Sequence, residues 1–295
     1  MISMSRHVYL GFAICCVVGA VVLWTWMPSK TTVSDIDVLE QTSDYVLVRH
    51  QEQTGKMYQA FFDDFSEPEF RNWFGEDRWT TIDTLSPASP SLEAYVSLRR
   101  KIFSGESDFL DNRIESADGI AKFTAVAPTQ SMVTSKSMLE NNRLWFVEGD
   151  DLWFRGKYKL QSGVPFTIAD FQERGRYNSP GPRITIWDQK YLGYELKSGW
   201  KPKMRQSEVE VPIGEWFFLT VHLVLHHKNG QVQIWQNDQL LIDEKVATLP
   251  ASDSLLNALE VGITATDHAS EVWIDEIAIS HQPIEIKTDS SAQTN

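Results

Sequence analysis

Cysteine is almost absent. The 295-residue chain has two, Cys15 and Cys16, side by side inside an apolar run. The rest of the chain therefore has no thiol for a disulfide or a cysteine-based zinc site, and its hydrophobic core must act without cross-links. Neither cysteine follows the small residue that a bacterial lipoprotein signal needs, which leaves palmitoylation or plain apolar packing. Positive charge is also scarce, with 27 Lys plus Arg against 40 Asp plus Glu and a net of −13. Evenly spread, that balance argues against nucleic acid or an anionic membrane surface as the main partner. Phosphate-cradling glycine loops, a serine nucleophile elbow and dinucleotide fingerprints are missing. Helical patterning is limited to short pieces such as SDSLLNAL.

The charge is not evenly spread. Between Trp153 and Arg205 there are 11 Lys or Arg and 4 Asp or Glu, a net of +7, which leaves −20 for the remainder. At the other extreme, residues 8–27 (VYLGFAICCVVGAVVLWTWM) carry no charge in 20 residues. At about 1.5 Å per residue such a helix would span the roughly 30 Å hydrocarbon core, so a transmembrane anchor is expected here. A cleaved signal peptide is the rival reading, with Val18-Gly19-Ala20 as its cleavage site, but the run is long for a signal h-region. Arg6 precedes the run, and Asp35, Asp37, Glu40 and Asp44 follow it. That asymmetry leans toward a single-pass protein with a cytoplasmic N-terminus and an exported body, periplasmic or extracellular.

The expected organisation is a short N-terminal segment (1–7), the anchor (8–27), a polar stalk (28–56) with one short strand at Tyr45 to Val48, a folded domain (57–284) and a polar tail (285–295). Within 57–284, short alternating runs recur between Gly, Pro, Asn, Asp and Ser: GIAKFTAVA, DLWFRGKYKL, VPFTIADF, PRITIW, YLGYELK, EWFFLTVHLVLHH, QVQIW and EVWIDEIAIS. Strands at this spacing predict an all-β domain, and its size suits a two-sheet antiparallel jelly-roll sandwich.

Alternation also sorts side chains by face. DLWFRGKYKL directs Leu152, Phe154, Tyr158 and Leu160 one way, and Trp153, Arg155, Lys157 and Lys159 the other. The long run at 215–226 puts Phe217, Leu219, Val221, Leu223 and Leu225 inside and His222 outside. The same test puts Arg183, Trp187, Tyr191, Lys197, Gln233 and Trp235 outside. Pooled, these outward residues combine aromatic platforms with cations and amides, the chemistry of a carbohydrate groove. Sugar C–H faces stack on indole, and guanidinium forks suit uronate or sulfate. Trp153, Arg155, Lys157, Trp187, Gln233 and Trp235 are the glycan-binding candidates, provided their strands share a sheet. A solvated outer face with half-covered tryptophans is the plainer alternative.

No cofactor is expected. His222 and His226 are four apart, roughly 13 Å along a strand, too far for one ion. A structural calcium on Asp63, Asp64 or Asp275 is the remaining metal candidate.

FFDDFSEPEFRNWF, VPIGEWFFLTVHLVLHHKNGQVQIWQNDQLLID and EVWIDEIAIS together resemble the concanavalin A-like lectin/glucanase superfamily. Within it, the look is nearest to jelly-roll polysaccharide lyases of the heparin lyase I and glucuronan lyase type. The W-x5-H strand followed by G-x-V-x-I-W is the most specific part. The resemblance implies glycan binding on the concave sheet, or β-elimination of a uronate-containing polysaccharide. Elimination needs a carboxylate neutraliser, a base for the C5 proton and an acid for the leaving oxygen. The resemblance would give these roles to Arg183 or Lys197, to His222, and to Tyr191 as base or acid. One departure stands out. Such lyases tend to carry Gln-x-His before a Pro-rich turn, where this chain reads FTIADFQ with Ala169, Asp170 and Gln172. Glucanase-like hydrolysis would need an E-x-D-x-x-E or E-x-D-x-E strand, which no segment supplies.

Three functions follow in order of preference. The first is a membrane-anchored, non-catalytic binder of an acidic polysaccharide. The second is a polysaccharide lyase using Arg183, Tyr191, Lys197 and His222. The third is a structural envelope protein with no glycan ligand.

Overall fold

The computed structural model describes residues 36–50, 53–67, 79–84, 100, 104, 112–128, 134–173, 179–196 and 203–284. Strands β1 (Ile36–Gln41), β2 (Val46–His50) and β3 (Gln53–Met57) form a small antiparallel sheet. There follow β4 (Ala60–Asp63), β5 (Thr81–Asp83), β6 (Arg113–Ala117), β7 (Ile120–Ala125), β8 (Ser135–Asn141) and β9 (Phe146–Val147). The middle of the chain is β10 (Asp151–Ser162), β11 (Thr167–Glu173), β12 (Ser179–Trp187), β13 (Tyr191–Leu196) and β14 (Lys203–Glu210). The last third is β15 (Trp216–Val224), β16 (Gln231–Gln236), β17 (Gln239–Lys245), β18 (Leu255–Leu256), β19 (Ala258–Thr266) and β20 (Ser270–Ser280).

Two large sheets form the body. An eight-stranded sheet runs β17-β16-β15-β10-β20-β7-β6, with β4 also paired to β20. A seven-stranded sheet runs β14-β13-β12-β11-β19-β8-β5. The pairs β10–β20 and β11–β19 bring the last third of the chain back between earlier strands, which makes this a jelly-roll-like sandwich.

The core lies where the inner faces meet. Leu152, Phe154, Tyr158 and Leu160 of β10 are fully buried, as are Phe171 of β11, Leu259 and Val261 of β19, and Leu219, Val221 and Leu223 of β15. Phe154 meets Phe171 edge to face at 5.3 Å, joining the centres of the two sheets. Gly156 interrupts the inward row of β10 for a steric reason: a Cβ there would come within 2.5 Å of the Tyr158 ring and 2.7 Å of Ile277. At one edge, the Tyr194 hydroxyl on β13 donates to Glu244 on β17 at 2.8 Å, and burial helps hold that phenol protonated.

Two expectations change. Residues 36–57 carry three strands in a region read as a stalk with a single strand. β1 is exposed along nearly its whole length, so it shows no apolar alternation to mark it as a strand. The transmembrane anchor, and with it the single-pass, membrane-partnered location with a cytoplasmic N-terminus and exported sandwich, is also corrected. Among the described residues no helix is long and apolar enough to cross a membrane. Residues 8–27, on which the expectation fell, lie outside the described residues. The expectation rested on the length of an uncharged run alone. What the structure does contain is the all-β sandwich.

Replacing Gly156 by Val is expected to destabilise the sandwich by about 1–3 kcal/mol through overpacking. Gly55→Val, where a Cβ meets nothing within 4 Å, serves as the control. Urea midpoints of the two variants check the difference.

Candidate functional site

The outer face of the eight-stranded sheet explains the cationic strand. Register between β10 and β15 sets Trp153 beside His222, Arg155 beside Thr220, Lys157 beside Phe218 and Lys159 beside Trp216. Each cation has an aromatic or acidic partner inside the protein. The Arg155 guanidinium lies 3.9 Å from the Phe218 ring centre. Lys157 sits 5.2 Å from the Trp216 ring and pairs with Asp275. Lys159 and Lys122 both approach Trp273, at 4.8 and 4.9 Å. Arg155 is only 6% exposed, and this desolvation lowers its pKa. Such cation–π contacts contribute roughly 0.5–1 kcal/mol each at exposed sites and more when desolvated.

The aromatic residues of this face are similarly occupied. His222 stacks on Trp153 with ring centres 4.0 Å apart and planes 9° apart, and Trp153 stacks on Trp235 at 5.9 Å. The His222 ring nitrogens meet Asp151 at 2.6 Å and Gln233 at 2.8 Å. The rings lean face to face on one another, so one face of Trp153 is covered by imidazole.

The outer face of the seven-stranded sheet is different. Cross-strand register lines up Glu195, Arg183, Asp170, Glu260 and Glu140 on five adjacent strands. Directly paired residues share a face, so four carboxylates and one guanidinium form a row across the sheet. Asp170, Glu260 and Glu140 are buried, while the Arg183 side chain is 21% exposed. The Arg183 Nε donates to Asp170 Oδ2 at 2.6 Å, and its Nη1 lies 3.8 Å from Glu195. Gln172 donates to the same Asp170 oxygen at 3.1 Å, and Lys136 reaches Glu260 at 3.5 Å. Asp170 Oδ1 is buried and makes no hydrogen bond. Burial, reinforced by the Glu260 carboxylate, pushes the Asp170 carboxyl up to about 7 against the opposing pull of Arg183.

Further along the same face, the pyrrole side of Trp187 occupies the space over Gly193. A Cβ at that glycine would lie 2.7 Å from Trp187 Cδ1 and 2.8 Å from Nε1. Phe166 meets the indole edge-on at 5.4 Å. An indole seated on a glycine of its own sheet differs from the stack around Trp153, because its support is backbone. Tyr191 pairs with Trp187, and Arg183 pairs with Glu195. Tyr191 is thus four residues along the strand from the Arg183 level, about 13 Å away.

The pooled candidates therefore divide. Arg183, Trp187 and Tyr191 lie on the seven-stranded sheet, and Trp153, Arg155, Lys157, His222, Gln233 and Trp235 on the eight-stranded one. Lys197 lies outside the described residues. Alternation reports which side chains avoid the core, but a sandwich has two outer faces, and only long-range pairing tells them apart. The acidic row was not foreseen for the same reason, although Asp170 stood out singly.

Among the described residues, Glu148, His226 and His227 form a grouping of three donors within 4.8 Å of one another. The backbone amides of Lys228 and Asn229 donate to His226 Nδ1 at 3.0 and 3.1 Å. In a neutral imidazole this puts the proton on Nε2, which faces Glu148 at 3.2 Å. A metal-binding histidine needs the opposite arrangement, with its second nitrogen donating, so this set reads as a hydrogen-bonded turn. The calcium candidates are engaged as well. Asp63 accepts from the Phe65 amide and the Trp79 indole, Asp64 from the Ser66 amide, and Asp275 from Lys157.

The fold and these faces define an all-β, jelly-roll-like sandwich related distantly to polysaccharide lyase and lectin-type folds. The chain is similar in fold to the endo-β-1,4-glucuronan lyase of the fungus Trichoderma reesei, at 17% identity and a TM-score of 0.50, over 75% of this chain and 94% of that one. Looser likenesses include the cellulose-induced protein Cip1 (16% identity, TM-score 0.38, 62% and 97% covered). Another is alginate lyase Aly36B (10% identity, TM-score 0.40, 77% and 99% covered). No protein-family model matches the chain. No curated protein matches it either.

Two outcomes are expected of these faces. Lys157 and Asp275, each about one-third exposed, should couple by about 0.2–1 kcal/mol in a double-mutant cycle read by urea unfolding. A carboxyl whose folded pKa is raised keeps its contribution to stability below its unfolded value near 4 and loses it as pH climbs through about 7. The melting temperature of the wild type should accordingly fall over that window more steeply than that of Asp170→Asn.

Proposed function

We propose that this protein is a non-catalytic polysaccharide-binding β-sandwich whose ligand, an acidic glycan containing uronate, lies across the outer face of the seven-stranded sheet. The observation that carries the reading is the indole of Trp187 seated on Gly193, on the same face as the part-exposed Arg183. Indole offers a stacking surface to sugar C–H groups, and guanidinium offers a bidentate fork to a uronate carboxylate. Separated by four positions along β12, about 13 Å, the two groups would meet sugar units of one chain that are not adjacent. The distant likeness to lyase and lectin-type sandwiches supports a fold suited to such ligands.

Binding is favoured over β-elimination by the spacing of the candidate groups. Proton abstraction and carboxylate neutralisation act on one sugar ring. The Arg183 level and Tyr191 are about 13 Å apart along the sheet, and His222 belongs to the other sheet. The glycan-binding role considered for Trp153, Arg155, Lys157, Gln233 and Trp235 gives way to their packing against one another and their neighbours.

Titration calorimetry with oligoglucuronate and oligoalginate at low salt tests the proposal. Arg183→Ala and Trp187→Ala should each weaken binding by about tenfold or more, equivalent to about 1.4 kcal/mol, while Trp235→Ala leaves it unchanged. No unsaturated uronate ends should accumulate in the ultraviolet. Wild-type protein that binds neither glycan would sink the reading and favour a structural role. Sensitivity to Trp235→Ala but not to Trp187→Ala would move the site to the other face.

A further inference from the structure

The charge arrangement around Arg183 raises a question that the binding reading leaves open. A residue meant to receive a uronate is already held by a carboxylate at 2.6 Å and has a second one 3.8 Å away. If both stay ionised, the guanidinium is more than neutralised before the ligand arrives. An anionic glycan would then meet net negative charge at the point meant to attract it.

We propose that Asp170 is a proton-operated counter-ion beneath Arg183. Ionised, it holds the guanidinium and opposes an anionic ligand; protonated, it leaves Arg183 to the ligand's carboxylate. The inference rests on the binding reading and adds to it a rule for when binding occurs. Asp170 is a positioning residue here, because its buried oxygens lie below Arg183 and reach the ligand only through it.

Three observations carry this. The first is burial on a strand shared between neighbours: Asp170 is 1% exposed, and β11 is paired on both sides by β12 and β19. The second is its surroundings. Facing Asp170 on this side of the sheet are Arg183 of β12, Glu195 of β13, Glu260 of β19, and Lys136 and Glu140 of β8, with Glu173 farther along its own strand. Like charges in such a row resist simultaneous ionisation. The third is half-made solvation. Oδ2 receives Arg183 and Gln172, while the buried Oδ1 receives nothing. A carboxylate needs donors on both oxygens, whereas a carboxylic acid tolerates this asymmetry better. The upward displacement of its titration to about 7 follows from the same geometry and sets the range in which the device works.

Proton uptake balances the equilibrium. Above the midpoint, one ligand carboxylate binds together with one proton, which goes to Asp170. Below it, the proton is already in place and binding takes up none.

The test is the affinity of the full chain for a defined oligoglucuronate from about pH 5 to about pH 9. Wild-type Kd should be flat on the acid side and rise about tenfold per pH unit above roughly pH 7. Asp170→Asn, which cannot ionise, should show a flat profile with the affinity of the wild-type acid limb. A flat wild-type profile, or an Asp170→Asn profile as steep as wild type, overturns the proposal while leaving the binding reading intact. If wild type binds at no pH, the binding reading fails, and the ligand-free protein then decides about the gate. The Arg183 Nε–H resonance should titrate near pH 7 in wild type, and the absence of any such titration overturns the proposal independently of a ligand. The wild-type resonance also keeps the test open if Asp170→Asn fails to fold.

Discussion

The sandwich depends on the inward row of β10. This strand is paired along its length by β15 on one side and β20 on the other, and Leu152, Phe154, Tyr158 and Leu160 fill the space between the sheets. With no cysteine in the described part of the chain, nothing covalent holds the layers together. Burial of apolar surface must do so, at roughly 25 cal/mol per Å². The contact of Phe154 with Phe171 matters because it joins the central strands of both sheets. Gly156 shows how closely that interior is filled, since one added carbon would have nowhere to go.

Fixing the inward row fixes the outward one. Once Leu152, Phe154 and Tyr158 face the core, Trp153, Arg155, Lys157 and Lys159 must leave it together on one face. The β15 and β20 residues beside them include the rings of Trp216, Phe218, His222 and Trp273, along with Thr220, Ala278 and Ser280. The concentration of positive charge in DLWFRGKYKL thus has a local cause. Cations cover aromatic rings that the strand pattern has placed outside, and long aliphatic stems can cover apolar surface while their charged heads stay wet. A run of cations beside aromatic rings carries no information about a ligand until it is known what the rings already touch.

The parts of the structure visible in the sequence are those set by periodicity of two. The strands of the sandwich, the inward set of β15 and the outward position of Arg183 and Trp187 all follow from alternation. Three things did not follow. β1 has no buried face, so no alternation marks it. The separation of Arg183 from His222 depends on which sheet each strand joins, a matter of pairing partners far apart in the chain. The apolar run at 8–27 offered a length argument only, and the described structure supplies no spanning helix to support it. Asp170 lies between these cases. Its strand was visible, and so was its place near the position where the lyases that the sequence resembles tend to keep Gln-x-His, but its burial was not.

That burial reverses the meaning of the aspartate. Read on the page, an aspartate beside a carboxylate-binding arginine is a repulsive residue and argues against an acidic ligand. Set 1% exposed in a row with Glu195, Glu260 and Glu140, the same aspartate loses the solvent that stabilises its charge. Repulsion then acts first among the protein's own carboxylates, and the cheapest relief is for one of them to keep a proton. Asp170 has the features of that one: it is buried, it has one oxygen without a donor, and it faces the Glu260 carboxylate directly across the strand. The guanidinium above it is correspondingly less neutralised than a count of formal charges suggests. The sign of the site is therefore a property of pH and burial together, and an acidic row can coexist with an acidic ligand so long as its central member is an acid rather than its conjugate base.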